Sequence, residues 1–324
     1  MLTLDEIQLP IKEHLKRFEK TFKGSMQSSI PLLDRITRYV VKQKGKQMRP
    51  MFVFFSAGLA GGITESTYNG ASLVELLHTA SLVHDDVVDN ANERRGFFSI
   101  NALWKNKVAV LVGDFLLAKG LLLSVRNQEY ELLRIVSEAV EQMSEGELLQ
   151  IEKARHLDIE EAIYYEIIKK KTASLIASCC ACGAASAGAN AETIEKLRLF
   201  GEKVGIAFQI KDDLFDFGLD DIGKPVGNDI KEKKLTLPLI YALSVVDKKQ
   251  KRQMINIVKK HNDDPEKVTE VIDFVRRNGG LDYAASQMQK YQREAFDILN
   301  ELPNGGEYRK GLEQLIRFTT ERKK

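Results

Sequence analysis

A chain of 324 residues, 44% hydrophobic and 29% charged, has ordinary globular composition and is long enough to bury a large core. With 48 Lys and Arg against 46 Asp and Glu, the formal net charge of +2 excludes any argument from global charge for nucleic-acid or membrane binding, so a charge-based function must come from local clusters. The three cysteines, Cys179, Cys180 and Cys182, crowd into four positions, cannot frame disulfides and point to a reducing, cytoplasmic compartment.

The opening MLTLDEIQLPIKEHLKRFEK spaces its apolar residues helically and has no apolar h-region, so it reads as structure and not as a signal peptide. Pro10 and then Pro31, in SIPLLDRITRYVVKQ, stand at expected first positions of helices. Residues 66–89 are apolar nearly all round, as a central helix wrapped by others must be. In LDIEEAIYYEIIKKK (157–171), Asp158 and Glu161 have the spacing of a capping box. The run LIASCCACGAASAGA (175–189) is built of small side chains that suit close helix approach. It is the nearest thing to a membrane span and falls short of the ~20 apolar residues required. Residues 193–217 form a second helix apolar nearly all round, and 263–280 carry Asp264 as cap, Pro265 behind it and glycines at the stop. Period-two patterns, hairpin turns and Ser/Gly-rich linkers are missing. The expectation is an all-α, single-domain helical bundle covering residues 1–324.

The two central helices end alike. The first finishes HDDVVDN, with Asp85, Asp86 and Asp89; the second finishes FQIKDDLFDF, with Asp212, Asp213 and Asp216. First and last acids of each set are four apart and share a helix face. Two carboxylates ~6 Å apart at an effective dielectric of ~20 repel by roughly 3 kcal/mol. The macrodipole also disfavours acids at a helix C-terminus, so a merely solvated helix end does not explain the choice of residue. One DDxxD is weak evidence; two, each ending an apolar helix, are strong evidence for divalent cations. All-oxygen ligands without a calcium-loop spacing favour Mg²⁺, which keeps positions for water and substrate phosphates. Basic residues lie beside both motifs: Lys46 and Arg49 in GKQMRP, Arg94 and Arg95 in NERRG, Lys171 with Thr172 in KKKT, and Lys224 and Lys234 in GKPVGNDIKEKK. Arg takes phosphate oxygens as a fork and Lys as a point charge.

In this order the motifs resemble the trans-isoprenyl diphosphate synthases, the polyprenyl synthetases, over most of the chain. The landmarks are GKxxRP (Gly45–Pro50), His78, DDxxD with RRG (Asp85–Asp89, Arg94–Gly96) and GD (Gly113–Asp114). They continue with GE…Q (Gly146, Glu147, Gln150), Lys171–Thr172, FQxxDDxxD (Phe208–Asp216), Gly223–Asp229 and Lys234–Pro238. The resemblance implies a helical bundle around a deep central cavity, usually a homodimer. Asp85, Asp89 and Asp212 would bind Mg²⁺, three ions in all, with Asp86, Asp213 and Asp216 in support. The allylic diphosphate would be held by Arg94, Lys171, Thr172, Gln209, Lys224 and Lys234, and the isopentenyl diphosphate by Lys46, Arg49, His78 and Arg95. The reaction it implies is ionisation of the allylic carbon–oxygen bond and attack by the isopentenyl double bond, with the departing diphosphate as base. Asp85, Asp86, Asp89, Lys171, Asp212 and Asp213 are the catalytic candidates.

A growing tail should run back along the first helix, one isoprene unit per 5.4 Å turn. Ala80 and Ser81, one turn before Asp85, are small where short-chain relatives carry an aromatic. The expected product is therefore long-chain, with Leu77, Leu73 and Met143 as floor candidates and a farnesyl or geranylgeranyl product as the alternative. A class I terpene cyclase would carry an N-S-E-type second motif, and a non-catalytic partner subunit of the same fold would tend to lose an acid cluster or the GKxxRP cations; this chain keeps all of them. The basic tail RFTTERKK is read as solvated, with at most transient membrane contact.

Overall fold

The computed structural model describes residues 3–42, 45–94, 96–157, 160–218 and 226–322. Helices dominate, in the order α1 (Leu4–Ile7), α2 (Lys12–Ser25), α3 (Pro31–Lys42), α4 (Met48–Ala60), α5 (Glu65–Val88), α6 (Ile100–Arg126), α7 (Tyr130–His156) and α8 (Glu161–Ile168). A π-helical turn, Lys169–Ala173, precedes α9 (Ser174–Ser186) and α10 (Ala191–Asp216). Then come α11 (Asn228–Lys231), α12 (Leu237–Ser244), α13 (Lys248–Lys260), α14 (Pro265–Arg277), α15 (Gly280–Asn300) and α16 (Gly306–Glu321). The all-α expectation holds, and α5 and α10 match the two apolar central runs. Pro31 opens α3, and Asp264 caps α14 by accepting from the Glu266 and Lys267 N–H groups. Pro10 falls in a 3₁₀ turn, Leu9–Ile11, ahead of α2. Asp158 lies outside the described residues, and α8 starts behind Glu160. Among the described residues the one departure toward β structure is a two-residue ladder, β1 (Glu93–Arg94) with β2 (Phe97–Phe98), with Gly96 between them at φ +77°.

Contacts group the chain into two compact units. Met1–Val140, Ser178–Arg198 and Leu302–Leu315 make one; Glu141–Ala177, Leu199–Glu301 and Ile316–Lys324 make the other. Each is assembled from three separate stretches, which is why no linker is legible in the sequence.

In the first unit α5 packs along α6, α4 and α2. Leu76, Ala80 and Val83 of α5 share a cluster with Ile100, Ala109, Val112 and Leu116 of α6. The small-residue run does permit close approach: a Cβ on Gly183 would stand 2.3 Å from the Val53 carbonyl oxygen of α4. All three cysteines are buried and free, and burial pushes the Cys180 thiol up to about 12. One expectation needs correcting. By length and composition α6 is long and apolar enough to cross a membrane, and only 33% of its apolar window is buried. Asp114 and Lys119 hide that run in the sequence, and Lys105, at φ +72°, breaks the helix after its first turn.

In the second unit α12 packs against α15, α13, α14 and α8. Two glycines bring α10 onto the segment behind the π turn. A Cβ on Gly205 would meet the Ala173 Cα at 2.5 Å, and one on Gly201 the Ile176 carbonyl oxygen at 2.7 Å.

Candidate active site

The first acidic motif closes α5. Asp89 is its C-cap, exposed, with Asp85 half-buried one turn back and Asp86 only 4% exposed. A buried carboxylate needs a partner, and Asp86 has one: Arg94 Nε donates to its Oδ1 at 2.6 Å. Burial still pushes the Asp86 carboxyl up, against the pull of Arg94. Arg49, at the start of α4, forks onto Glu75 of α5, Nε to Oε1 at 2.8 Å and Nη2 to Oε2 at 3.4 Å. These two pairs bound a pocket whose other walls include Phe18, Phe22, Val40, Leu82 and Ile100. Arg49, Arg94 and Asp86 thus come together. Lys46 is exposed ahead of α4, His78 is half-buried on α5, and neither lines that cavity; Arg95 lies outside the described residues. Gly113 has a local reason: a Cβ there would strike the His84 ring at 2.2 Å, while Asp114 sits 3.4 Å from His84 Nε2.

The product-length candidates are also placed. Ala80 is buried in the α5–α6 cluster, and the Ser81 hydroxyl donates to the His78 carbonyl at 2.9 Å. Leu77 and Leu73 rest on Gly120 of α6, where a Cβ would come within 3.2 and 3.3 Å of them.

The second motif closes α10 in the second unit. Asp213 is 3% exposed and accepts from the Tyr164 hydroxyl at 2.6 Å and Gln209 Nε2 at 2.9 Å. Thr172 in turn donates to Gln209 Oε1 at 2.8 Å. Asp216 uses both carboxylate oxygens on the backbone N–H groups of Asn228 and Asp229, at 2.8 and 3.0 Å. Lys171, within the π turn, pairs with Glu147 and reaches Gln150 Oε1 at 3.4 Å. The GE…Q landmark now has a physical reading. Glu147 and Gln150 hold the lysine, and Gly146 lets the π turn approach, since a Cβ would stand 2.8 Å from the Lys171 backbone nitrogen. Lys171, Thr172, Gln209, Asp213 and Lys234 line one pocket with Tyr164, Asp229 and Thr236. Burial pushes Asp213 up to about 8, helped by neighbouring Asp229, and Asp229 itself up to about 7, helped by Asp216. Lys224 lies outside the described residues.

Sequence reasoning missed Tyr164, Glu75 and Arg322. The sequence presents RFTTERKK as a solvated tail, yet Arg322 has a side chain only 13% exposed, paired with Asp212 and set over the rings of Phe208 and Phe215 at 4.5 and 5.4 Å. The aromatic residues flanking the second motif were its one sequence signal.

These acids suit a divalent cation bound together with a ligand. Among the described residues no group of three or more His, Cys, Asp or Glu side chains could hold a metal unaided. Mg²⁺ takes one or two carboxylates and fills its octahedron with water and phosphate oxygens, so the oxygen donors at each helix end, taken by itself with the cations beside it, fit it.

The sequence profile of the polyprenyl synthetase family matches residues 30–275. The chain belongs to the polyprenyl synthetase family. It is accordingly a prenyltransferase. It is 33% identical over 317 residues to heptaprenyl diphosphate synthase component 2 of Bacillus subtilis (strain 168), covering 97% of this chain and 89% of the relative. The structure of a polyprenyl synthase from Caulobacter crescentus CB15, complexed with calcium and isoprenyl diphosphate, superposes with a TM-score of 0.90 at 30% identity, covering 99% and 98% of the two chains. A geranylgeranyl pyrophosphate synthase from Bacteroides thetaiotaomicron matches at TM-score 0.83 and 38% identity, with 98% of each chain covered. Polyprenyl synthetases of this likeness therefore span several product lengths.

Proposed function

We propose that this polyprenyl synthetase is an Mg²⁺-dependent all-trans polyprenyl diphosphate synthase that adds isopentenyl units to an allylic diphosphate and continues beyond the four-unit stage. The observation that carries the reading is the placement of each acidic motif: each ends a long helix, and each has its own cavity with cations on the wall.

Asp85, Asp89 and Asp212 are the residues that hold the metal, taken as three ions. When bound, Mg²⁺ supplies positive charge to the diphosphate oxygens and so stabilises the leaving group. Lys171, Thr172, Gln209 and Lys234 hold the allylic diphosphate, with Arg94 and Lys224 on the same ligand. Ionisation of the carbon–oxygen bond moves negative charge onto that diphosphate, and donors already oriented toward it lower the barrier. Glu147 and Gln150 keep the Lys171 ammonium from swinging away, so little reorganisation remains for the reaction itself.

Isopentenyl diphosphate lies on Lys46, Arg49, His78 and Arg95. A guanidinium has five donors, so Arg49 can keep its fork on Glu75 and still bind a phosphate oxygen. Phe18, Phe22, Leu82 and Ile100 give the cavity beside Arg49 an apolar wall, which suits the hydrocarbon part of the substrate. The proton lost after carbon–carbon bond formation goes to the departing diphosphate.

Ala80 and Ser81 are small side chains one turn before Asp85, which supports a long product. Leu77 and Leu73, closing on Gly120 deeper along α5, support a second reading in which growth stops at the geranylgeranyl stage. The exposed face of α6, with Leu103 43%, Leu111 59%, Leu122 46% and Val125 50% exposed, supports assembly as a homodimer. The B. subtilis relative is named as one component of its synthase, and a partner of another kind on that face is the alternative. Buried free cysteines accord with a reducing cytoplasm. Light scattering during size exclusion tests the assembly: one mass at twice the chain supports the homodimer, and a monomer that is active only with a second protein supports the component reading. Product length is tested by incubating the protein with isopentenyl and farnesyl diphosphates and Mg²⁺ and weighing the products. Chains beyond four units support the long-chain reading, and a stop at four supports the second.

A further inference from the structure

Tyr164 stands outside every motif that marks the site, yet its hydroxyl reaches the second acidic motif from α8. Its side chain is 3% exposed, and its oxygen donates to Asp213 Oδ2 at 2.6 Å. From there the hydrogen bonds run in one direction. Gln209 Nε2 donates to Asp213 Oδ1 at 2.9 Å, which fixes the amide so that Gln209 Oε1 accepts from Thr172 Oγ1 at 2.8 Å. An amide nitrogen only donates, so Asp213 Oδ1 must accept from Gln209, and an amide whose nitrogen is committed has only its oxygen left to accept. The polarity of the whole line is therefore set at Asp213, and Asp213 is held from its far side by Tyr164.

The line ties together two pieces of backbone that matter to the reaction. One is the last turns of α10, which carry Gln209, Asp212 and Asp213. The other is the π-helical turn Lys169–Ala173, which carries Lys171 and Thr172. A π turn is a costly local geometry and often marks a functional site. Close packing behind it, through Gly205 on Ala173 and Gly146 on Lys171, holds the backbone. It does not by itself orient the Gln209 amide or the Thr172 hydroxyl.

We propose that Tyr164 is a positioning residue of the allylic-diphosphate half of the site, acting through Asp213 and Gln209 to orient Thr172 and the π turn that carries Lys171. This rests on the synthase reading above. Removing the hydroxyl leaves the buried Asp213 carboxyl group short of a hydrogen-bond partner, which is costly enough that Asp213 turns to recover one. Gln209 then loses its fixed acceptor, and the diphosphate-binding edge loosens. The isopentenyl side draws on Arg49 and Glu75 of the other unit, which the change does not touch.

The test is Tyr164→Phe, which keeps the ring and its packing. The Michaelis constants for the allylic and isopentenyl diphosphates are measured separately, and Mg²⁺-dependent binding of inorganic pyrophosphate is measured by calorimetry. Tyr165→Phe is the control, since Tyr165 is a half-buried neighbour on the same helix whose hydroxyl reaches Gln287 at 3.5 Å. Tyr164→Phe is expected to raise the allylic KM and weaken pyrophosphate binding by about tenfold, the factor that ~1.4 kcal/mol represents, and to leave the isopentenyl KM within about twofold. Equal shifts in both constants, or the same shift in Tyr165→Phe, overturn the proposal and leave Tyr164 a packing residue. Should Tyr164→Phe not fold, Asp213→Asn must show the same allylic-selective loss, and its absence overturns the proposal as well. A folded wild-type protein that neither turns over substrate nor binds pyrophosphate overturns the synthase reading and this proposal together. An active wild type with an unaltered Tyr164→Phe variant overturns this proposal alone.

Discussion

The Arg322 guanidinium lies on the Asp212 carboxylate, sandwiched against Phe208 and Phe215. Asp212 is the residue of the second motif proposed to hold Mg²⁺, so on that proposal a protein cation stands at an oxygen the metal would use. Arg322→Ala removes that competitor. Mg²⁺ affinity in the absence of substrate should rise severalfold, while the metal-free protein loses roughly 1 kcal/mol, the scale of a half-exposed pair. Calorimetry of Mg²⁺ binding together with thermal unfolding checks both; unchanged affinity would mean that Arg322 leaves Asp212 alone once metal is present.

Asp85→Ala and Asp212→Ala should each lower kcat on the order of 100-fold or more while the far-ultraviolet helical signal stays intact. Asp85 is half-buried at a helix end and not in a packed core, so its removal carries little folding cost. Steady-state kinetics with circular dichroism on the same samples measures this.

The buried carboxyls give metal-free stability a pH dependence of definite sign. Asp213 is raised to about 8 and Asp229 to about 7, chiefly by burial. A carboxyl with a raised native pKa contributes stability that is fully present below its unfolded value of about 4 and is lost as pH climbs through the native value. Metal-free protein should therefore lose stability between about pH 4 and pH 8. Added Mg²⁺ should raise the unfolding temperature more at pH 8.5 than at pH 6.5, because a cation held at Asp212 offsets the charge on neighbouring Asp213 and Asp229 once they are ionised. Thermal scans at the two pH values, with and without Mg²⁺, decide it.

Gly146→Ala should cost about 1–3 kcal/mol, the usual scale of overpacking, because its Cβ would stand 2.8 Å from the Lys171 backbone nitrogen. Displacement of the π turn should also raise the KM for the allylic diphosphate. A chemical-denaturation curve and a substrate titration test the two effects separately.

Ala80→Phe places an aromatic ring one turn before Asp85 in the α5–α6 cluster. Products should shorten by at least one isoprene unit, read by mass spectrometry, alongside a stability loss of about 1–3 kcal/mol. Unchanged product length in a folded variant would remove Ala80 from the path of the tail.

Helix α5, helix α10 and the aspartates that end them were legible because apolar periodicity and a four-residue spacing are local signals. So were Lys171 and Thr172, which lie beside Gln209 in the cavity as the motif order implied. The partners were not legible. Arg49 with Glu75, Lys171 with Glu147, and Tyr164 with Asp213 are each more than twenty residues apart, and no sequence period links them. Arg322 reads as an ordinary charged tail until the fold supplies Asp212 and two aromatic rings. The apolar character of α6 is masked in the sequence because two charges interrupt a run whose exposed face the fold reveals. The division into two units is silent in the sequence because each unit is pieced together from separate stretches.

The most direct measurement is an Mg²⁺-dependent assay with isopentenyl and farnesyl diphosphates, with products separated by chain length in a mass spectrometer. The expected result is a ladder of prenyl diphosphates ending beyond four units, absent when Mg²⁺ is chelated and absent in Asp85→Ala. A folded protein that elongates no allylic primer at any Mg²⁺ concentration would contradict the assignment of the two acidic motifs to prenyl-chain elongation.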